Sequence, residues 1–286
     1  MLSTVLALLT ASAGDGFLEG CPAPVLPSAR FTHGELLVAP GGGVVTAATD
    51  EVLQARLCVF ENHLVRELAL EVKRPRGRQV QPGDPLTPGQ PLAHRAAVTL
   101  DGLSPARFFR EHPFLYDPRQ EPVLVVVDVE AHQAQRYERG VRTHAWEVGR
   151  GQAAGAKTVR GDLKTPRGLY FVTDKSTGPF GGAFAGYYGG HWVKVSYPNA
   201  FDGRRGVEEG VLSADQASTI ASTWWRRRLP MQHTKLGGGI GFHGWIGPWS
   251  GDHEGFGLSW GCVVFHPEDV ADFYARVPVG AAVVLR

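Results

Sequence analysis

The sequence predicts a mostly β protein of the α+β class with a few short helices. Many apolar runs have the length of a strand, Gly-rich links separate them, and few segments combine helical spacing with a cap. Glycine (37 residues) and proline (20 residues) are abundant among the 286 residues, which favours turns and short elements over long helices. We predict a mostly β region at 121–286, a smaller mixed region at 21–120 and a leader at 1–20.

The leader is a short apolar run, Met1 to Ala13, that ends in Ala11-Ser-Ala13. This shape is typical of a secretory signal peptide with a small-residue cleavage site, so we expect export to the periplasm or cell envelope. No basic residue precedes the run, which leaves a buried N-terminal helix or strand as the alternative. No other segment is long and apolar enough to predict an integral membrane helix.

In the N-terminal region, apolar residues at mixed spacing between positions 50 and 72 predict a helix capped by Thr49 or Asp50, followed by a strand. Pro- and Gly-rich loops follow at 73–78 and 81–90. Ser104 and Pro105 then predict a short helix over 103–114, because serine caps a helix and proline suits its first position. No role is predicted for this region.

In the C-terminal region, continuous apolar runs predict a series of strands, with a hairpin at 135–143 around Gly140. Ser213 and Gln216 predict one helix through a capping box, and Pro267 opens another. The predicted strands lie at 122–128, 168–173, 192–196, 240–243, 262–265 and 281–285.

The formal net charge of +1 gives no field that would gather nucleic acid or an anionic membrane, so we expect no nucleic-acid partner. The three cysteines carry more information. Cys21 and Cys58 can pair in an oxidising compartment, which leaves Cys262 as an odd, reactive thiol. The alternative is that all three are isolated and buried, as free cysteines often are.

Residues 240–265 contain the groups that a thiol catalyst needs. Cysteine attacks as a thiolate, so it requires a nearby base or positive charge. If the predicted strands at 240–243 and 262–265 lie side by side, the imidazole of His243 and the thiol of Cys262 face each other. Gly261 allows a sharp turn, and backbone amides at 260–262 are candidates for an oxyanion hole. Taken alone, a buried cysteine and a core histidine would be the default interpretation.

Longer motifs change that interpretation. His243-Gly, then fourteen residues, then Ser259-Trp-Gly-Cys262 resembles the active-site signature of the L,D-transpeptidase (YkuD-like) catalytic domain. Three further segments resemble that family. The entry to one of its strands is similar to Lys164-Thr-Pro-Arg-Gly-Leu-Tyr170, and a stretch that precedes its catalytic half is similar to Ser196-Tyr-Pro-Asn199. Its closing strand is similar to the final segment, 277–285. The resemblance covers residues 121–286 and implies a β-sandwich-like catalytic domain with a few helices.

The resemblance implies cysteine-dependent acyl transfer on peptidoglycan stem peptides, without cofactor or metal. Cys262 would be the nucleophile, His243 the general base and Gly244 the residue that orients it; Gly261 would serve the oxyanion hole and Ser259 would support the loop. The candidate substrate-binding residues are Trp260, Trp245, Tyr187 and Tyr188.

Two positions depart from the family pattern. Trp260 stands where many members have histidine, so His243 is the only base in the motif. Val264 replaces an arginine that is found two residues after the cysteine in many members, which removes a charge-assisted anchor. These departures indicate a divergent branch that includes wall-peptide hydrolases.

Three alternatives remain at this point. The same cysteine could serve an L,D-carboxypeptidase or endopeptidase, or the domain could be an inactive wall-binding module. A zinc hydrolase would need clustered ligands, but the sequence has no His-Glu-x-x-His or Cys-x-x-Cys pair. We expect His253 to be a loop residue, His266 a cap or packed side chain, and Trp192 a core residue.

Overall fold

The computed structural model describes residues 15–94, 96–182, 185–249 and 256–286. Most of the predicted leader (1–14) and His253 lie outside these residues, as does the side chain of Tyr187. The chain divides into two compact units, one up to Asp117 and one from Pro118. Within the described ranges, no helix has the length and apolarity needed to cross a membrane. The predicted mostly β class with few helices is confirmed.

The described part of the first unit contains two sheets and two α-helices, around a core of Leu, Val and Phe side chains. Its strands pair in the orders β1-β2-β7 and β6-β3-β4-β5-β8. The elements are α1 (Asp15–Glu19), β1 (Thr32–His33), β2 (Leu36–Val38), β3 (Gly43–Ala48), β4 (Val52–Glu61), β5 (Leu64–Lys73), β6 (Pro85–Leu86), β7 (Pro91–His94), β8 (Ala97–Leu100) and α2 (Pro105–Glu111).

The helix predicted from residue 50 is wrong, because β4 and β5 form a long antiparallel hairpin there. Leu53, Ala55, Leu57 and Val59 are buried at every second position, which is the period of a strand and not of a helix. The predicted helix over 103–114 is confirmed as α2, where Ser104 Oγ accepts a hydrogen bond from the Arg107 amide.

A disulfide joins Cys21 to Cys58 on β4, so the predicted pairing is confirmed. It closes a loop with a sequence separation of 37 residues. Cys262 is the remaining free cysteine.

The second unit is built on an eight-stranded mixed sheet with the order β11-β10-β9-β18-β13-β14-β15-β17. The predicted strands, the hairpin at Gly140 and the helices at Ser213 and Pro267 are all present. The elements are β9 (Val123–Asp128), β10 (Gln133–Glu138), β11 (Val141–Glu147), β12 (Arg150–Gly151), β13 (Gly168–Thr177), β14 (His191–Val195), α3 (Ala200–Glu208), α4 (Ala214–Trp225), β15 (Gly241–Gly244), β16 (Gly257–Ser259), β17 (Val263–Phe265), α5 (Pro267–Arg276) and β18 (Ala282–Leu285).

Different helices pack on the two faces of this sheet. Helix α5 packs Val270 and Phe273 into the main core on one face. On the other face, Trp224 of α4 packs on Phe171 and donates its Nε1–H to the Leu169 carbonyl at 3.0 Å. Helix α3 was not predicted, although Asn199 and Asp202 form a capping box at its start.

Candidate active site

Two neighbouring parallel strands carry the predicted nucleophile and base. His243 of β15 pairs in register with Val264 of β17, and Cys262 stands immediately before β17. The adjacent pair Phe242 and Val263 faces the hydrophobic core. Because side chains alternate between the faces of a strand, His243 lies on the opposite face, and both His243 and Cys262 line one cavity there.

The imidazole of His243 is held in one orientation by its neighbour. Its Nδ1 lies 2.7 Å from the Gly244 carbonyl oxygen. Since a carbonyl can only accept, Nδ1 carries the hydrogen and Nε2 is left with a lone pair. Burial lowers the pKa of His243 to about 4, although the bond to Gly244 acts in the opposite direction. The side chain is therefore a neutral base at neutral pH.

Aromatic rings fix the other sides of His243. Trp192 stacks on it at a centroid distance of 5.6 Å, and Tyr188 meets it edge-on at 4.7 Å. Two glycines allow this approach: a Cβ at Gly244 would lie 2.8 Å from the Gly189 Cα, and one at Gly189 would lie 2.9 Å from the Gly244 Cα. The 3₁₀ helix Ala185–Tyr188 can therefore contact β15 directly.

Cys262 is a half-buried residue that lines the cavity, and its thiol donates to the Gly239 carbonyl at an Sγ–O distance of 3.6 Å. Burial of the sulfur raises its pKa to about 11, while the backbone at Gly241 and the charge of Lys157 lower it in part. The resting cavity thus holds a neutral thiol and a neutral imidazole, and not a preformed ion pair.

Ser259 stabilises the turn that leads to Cys262 through two hydrogen bonds. Its Oγ donates to the Cys262 carbonyl at 2.6 Å and accepts from the Gly261 amide at 3.1 Å. Gly261 has φ +128°, and a Cβ there would lie 2.7 Å from the Lys164 carbonyl oxygen, so this turn requires glycine. The Gly261 amide, a predicted oxyanion-hole donor, is directed at Ser259 in this state.

The cavity has a volume of about 900 Å³, and its lining contains aromatic side chains as well as polar and basic ones. Tyr188, Trp245 and Trp260 line it, and Trp260 is 63% exposed at its rim. Tyr187 belongs to the same 3₁₀ helix as Tyr188. Trp192 also lines the cavity, so the expectation that it is a core residue was wrong.

Sequence reasoning missed several polar residues of this cavity, among them Lys157 and Lys194. A signal for Lys194 exists in the alternation of His191-Trp-Val-Lys-Val195. Val193 and Val195 are buried in the core, which turns Trp192 and Lys194 to the face of His243. Lys157 lies in a loop and its position carries no such pattern.

The other histidines near the motif have packing contacts. His266 is the N-cap residue of α5 and stacks on Trp249 at a centroid distance of 3.8 Å, with its Nε2 3.3 Å from Glu147 Oε2. His191 packs against Tyr274. In the part of the chain that the structure describes, no three His, Cys, Asp or Glu side chains are grouped to hold a metal.

Comparisons with known proteins agree with the sequence motifs. The sequence model of the YkuD family, described as the L,D-transpeptidase catalytic domain, matches residues 122–285. Among curated proteins, none matches this chain.

Solved structures resemble the chain at low sequence identity. Bd1075 of Bdellovibrio bacteriovorus is 21% identical with a TM-score of 0.38, and the match covers 58% of this chain and 48% of that one. Pgp2 of Campylobacter jejuni, a helical cell shape determining protein, is 22% identical with a TM-score of 0.39, covering 57% and 47%. A mutant L,D-transpeptidase of Enterococcus faecium is 15% identical with a TM-score of 0.34, covering 58% and 50%. The match thus spans about half the length of each of these proteins.

Proposed function

This chain belongs to the YkuD family of L,D-transpeptidase catalytic domains, and from this premise we propose that it catalyses cysteine-dependent acyl transfer on peptidoglycan stem peptides. One observation carries the proposal. His243 and Cys262, from neighbouring parallel strands, open into the same cavity of about 900 Å³. The bond from Nδ1 to Gly244 leaves Nε2 of His243 as the proton acceptor.

In the first half-reaction, Nε2 of His243 takes the Sγ proton while Sγ attacks the amide carbonyl carbon that follows an L-centre. The tetrahedral intermediate collapses by breaking the C–N bond, and the imidazolium returns its proton to the leaving amine. The products are a D-amino acid and a thioester on Cys262. Because both groups are neutral at rest, proton transfer accompanies the attack.

The negative charge on the tetrahedral oxygen needs hydrogen-bond donors. We propose the backbone amides around Gly261 and Cys262 for this role. The Gly261 amide donates to Ser259 Oγ at 3.1 Å, so it must turn from Ser259 or be shared when substrate binds. Tyr188 is a second donor candidate, because it lines the same cavity as the thiol and its ring contacts His243.

In the second half-reaction, an amine from another stem peptide attacks the thioester carbonyl carbon. The C–S bond breaks as the new amide bond forms, and His243 passes a proton from the amine to the Cys262 sulfur. Water in place of the amine gives an L,D-carboxypeptidase or endopeptidase at the same site. Mass spectrometry of the products from a defined stem tetrapeptide, with and without an amine acceptor, separates these outcomes. A cross-linked product supports transpeptidation, a hydrolysed product supports the peptidase, and the absence of any turnover contradicts both.

We also propose that the protein acts outside the cytoplasm, in the periplasm or cell envelope, with residues 1–20 as the leader, 21–120 as an N-terminal region to which no role is assigned and 121–286 as the catalytic domain. The Cys21–Cys58 disulfide supports this location, because disulfides persist in oxidising compartments. Fractionation of cells that make the full chain tests it, and recovery of the protein with fully reduced cysteines in the cytoplasm would contradict it.

A further inference from the structure

Gln232 lies in the wall of the cavity, in the loop between α4 and β15. Its Oε1 accepts a hydrogen bond from the Gly239 amide at 2.8 Å, and its Nε2 donates to the Tyr197 and Pro230 carbonyls, each at 2.9 Å. Because a carbonyl only accepts and a backbone N–H only donates, these partners permit one orientation of the side-chain amide. Gln232 therefore closes the loop 232–239 across its base.

The backbone of this loop is shaped to approach Gln232. A Cβ at Gly238 would lie 2.6 Å from the Gln232 carbonyl oxygen and 2.8 Å from its Oε1, so the approach requires glycine. A second hydrogen bond holds the loop independently, since the Tyr197 hydroxyl donates to the Leu236 carbonyl at 2.9 Å. The loop is thus fixed at two separate points, and only the contact with Gln232 reaches Gly239.

The Gly239 carbonyl is the group that this loop presents to the nucleophile. It accepts the Cys262 S–H at an Sγ–O distance of 3.6 Å. Gln232 binds the amide of Gly239, and on the other side the Ile240 carbonyl accepts a backbone amide of β14 at 3.2 Å. A thiol has one hydrogen, so while Gly239 accepts that hydrogen it is not shared with Nε2 of His243.

We propose that Gln232 is a positioning residue that fixes the Gly239 carbonyl and so holds the Cys262 thiol protonated and turned away from His243 until substrate enters. This inference rests on the proposed role of Cys262 as the nucleophile. A carbonyl oxygen stabilises the S–H form and repels a thiolate, so the contact acts in the same direction as burial on the pKa of Cys262. A thiol held in this way reacts slowly with other electrophiles.

The other charged or titratable groups of the cavity stay unchanged in the test. Among them, Lys157 acts on the thiol through its charge, which lowers the pKa of Cys262. The groups in the described lining are Lys157, Arg160, Tyr188, Lys194, His233 and His243. Because none of these is replaced, a change in the ionisation of the thiol reports on the loop.

The test is Gln232→Met in the full chain, since methionine keeps the length of the side chain and removes its donor and its acceptor. Loss of one hydrogen bond to the thiol should raise the thiolate fraction at pH 7 about fivefold, which moves the midpoint of the iodoacetamide-labelling profile down by about 0.7 of a pH unit. A less basic thiolate is also about twofold less nucleophilic. Labelling should therefore be about two- to threefold faster than in the wild type at pH 7 and about twofold slower at the plateau.

Tyr197→Phe is the matched control. It removes the hydrogen bond to Leu236 and loosens the same loop, but it keeps the backbone carbonyl that Gln232 binds and does not touch Gly239. It should lower Tm and leave the labelling profile of the wild type. Met231→Ala, at an exposed neighbour of Gln232 that does not line the cavity, should leave the profile unchanged as well.

An unshifted profile in folded Gln232→Met overturns the inference, and so does an equal shift in Tyr197→Phe. If Gln232→Met does not fold, hydrogen exchange in the wild type decides. The Gly239 amide should be protected although the residue is exposed, and exchange at the rate of an unbonded amide overturns the inference. Labelling needs no turnover, so a failure of every stem peptide to acylate Cys262 is a separate result that contradicts the proposed function.

Discussion

Raising the pH should accelerate alkylation of Cys262 by iodoacetamide until the pH approaches about 11, where burial sets the pKa of this thiol. Only the thiolate reacts, so the rate should rise about tenfold per pH unit between pH 7 and pH 10. Cys262 is the only cysteine that iodoacetamide can alkylate in this assay, since Cys21 and Cys58 are joined in a disulfide.

The size of the effect follows from the pKa. At pH 7 a thiol with the ordinary value of 9.0 is about 1% ionised, whereas one at about 11 is about 0.01% ionised, a ratio of about 100. A more basic thiolate is also more nucleophilic, with a Brønsted slope of about 0.4–0.5, which recovers roughly a factor of eight for two pKa units. The net expectation is labelling about tenfold slower than for an exposed thiol.

The assay is the labelling rate from pH 6 to 11, measured as the intact mass of the protein, with Cys262→Ala as the blank and a short cysteine peptide as the reference thiol. A plateau in the rate below pH 8 would mean that a thiolate is already formed at rest. It would refute the conclusion that the resting cavity holds a neutral thiol and a neutral imidazole.

Two further changes test the turn beside the thiol and the first unit. Ser259→Ala leaves the Cys262 carbonyl and the Gly261 amide without their hydrogen-bond partner, which costs about 1–3 kcal/mol for each unsatisfied group. We expect kcat to fall about tenfold or more and Tm to fall as well. Unchanged kinetics would show that the turn keeps its conformation without Ser259. Replacing both Cys21 and Cys58 by alanine should lower the free energy of unfolding of the first unit by about 4 kcal/mol, from the 37-residue separation that the disulfide spans. Denaturant titration of the full chain measures this, and an unshifted midpoint would contradict it.

Much of the second unit could be predicted from the sequence, because its strands are continuous apolar runs and its helices begin with strong caps at Ser213 and Pro267. Helix α3 was missed for a physical reason. Gly203 and Gly206 are poor helix formers, yet they allow close packing: a Cβ at Gly203 would lie 3.4 Å from the Ala217 Cα of α4. Tertiary contact outweighs local propensity there.

The β4–β5 hairpin was partly misread for a different reason. Alternation on β4 is interrupted at its end, where the neighbouring residues Val59 and Phe60 are both buried, so the period of two is weaker over the whole segment.

Only part of the candidate site could be predicted from the sequence. His243 and Cys262 belong to one compact motif, so the sequence could suggest that they meet. Trp192 and Lys194 come from β14, and Lys157 from a loop far earlier in the chain; only the pairing of β14 with β15 and the packing of that loop bring them to the thiol. Alternation along β14 indicates that Trp192 and Lys194 share one face, but no local pattern indicates that this face meets the thiol, and the position of Lys157 has no such pattern at all.

The most direct test of acyl transfer at Cys262 is the intact mass of the protein during reaction with a defined stem tetrapeptide. We predict a mass increase equal to the tripeptide acyl group, located on Cys262 by peptide mapping and released by amine or water. Cys262→Ala should show no adduct and no product. Product formation by Cys262→Ala, or an acyl group on another residue, would contradict the account.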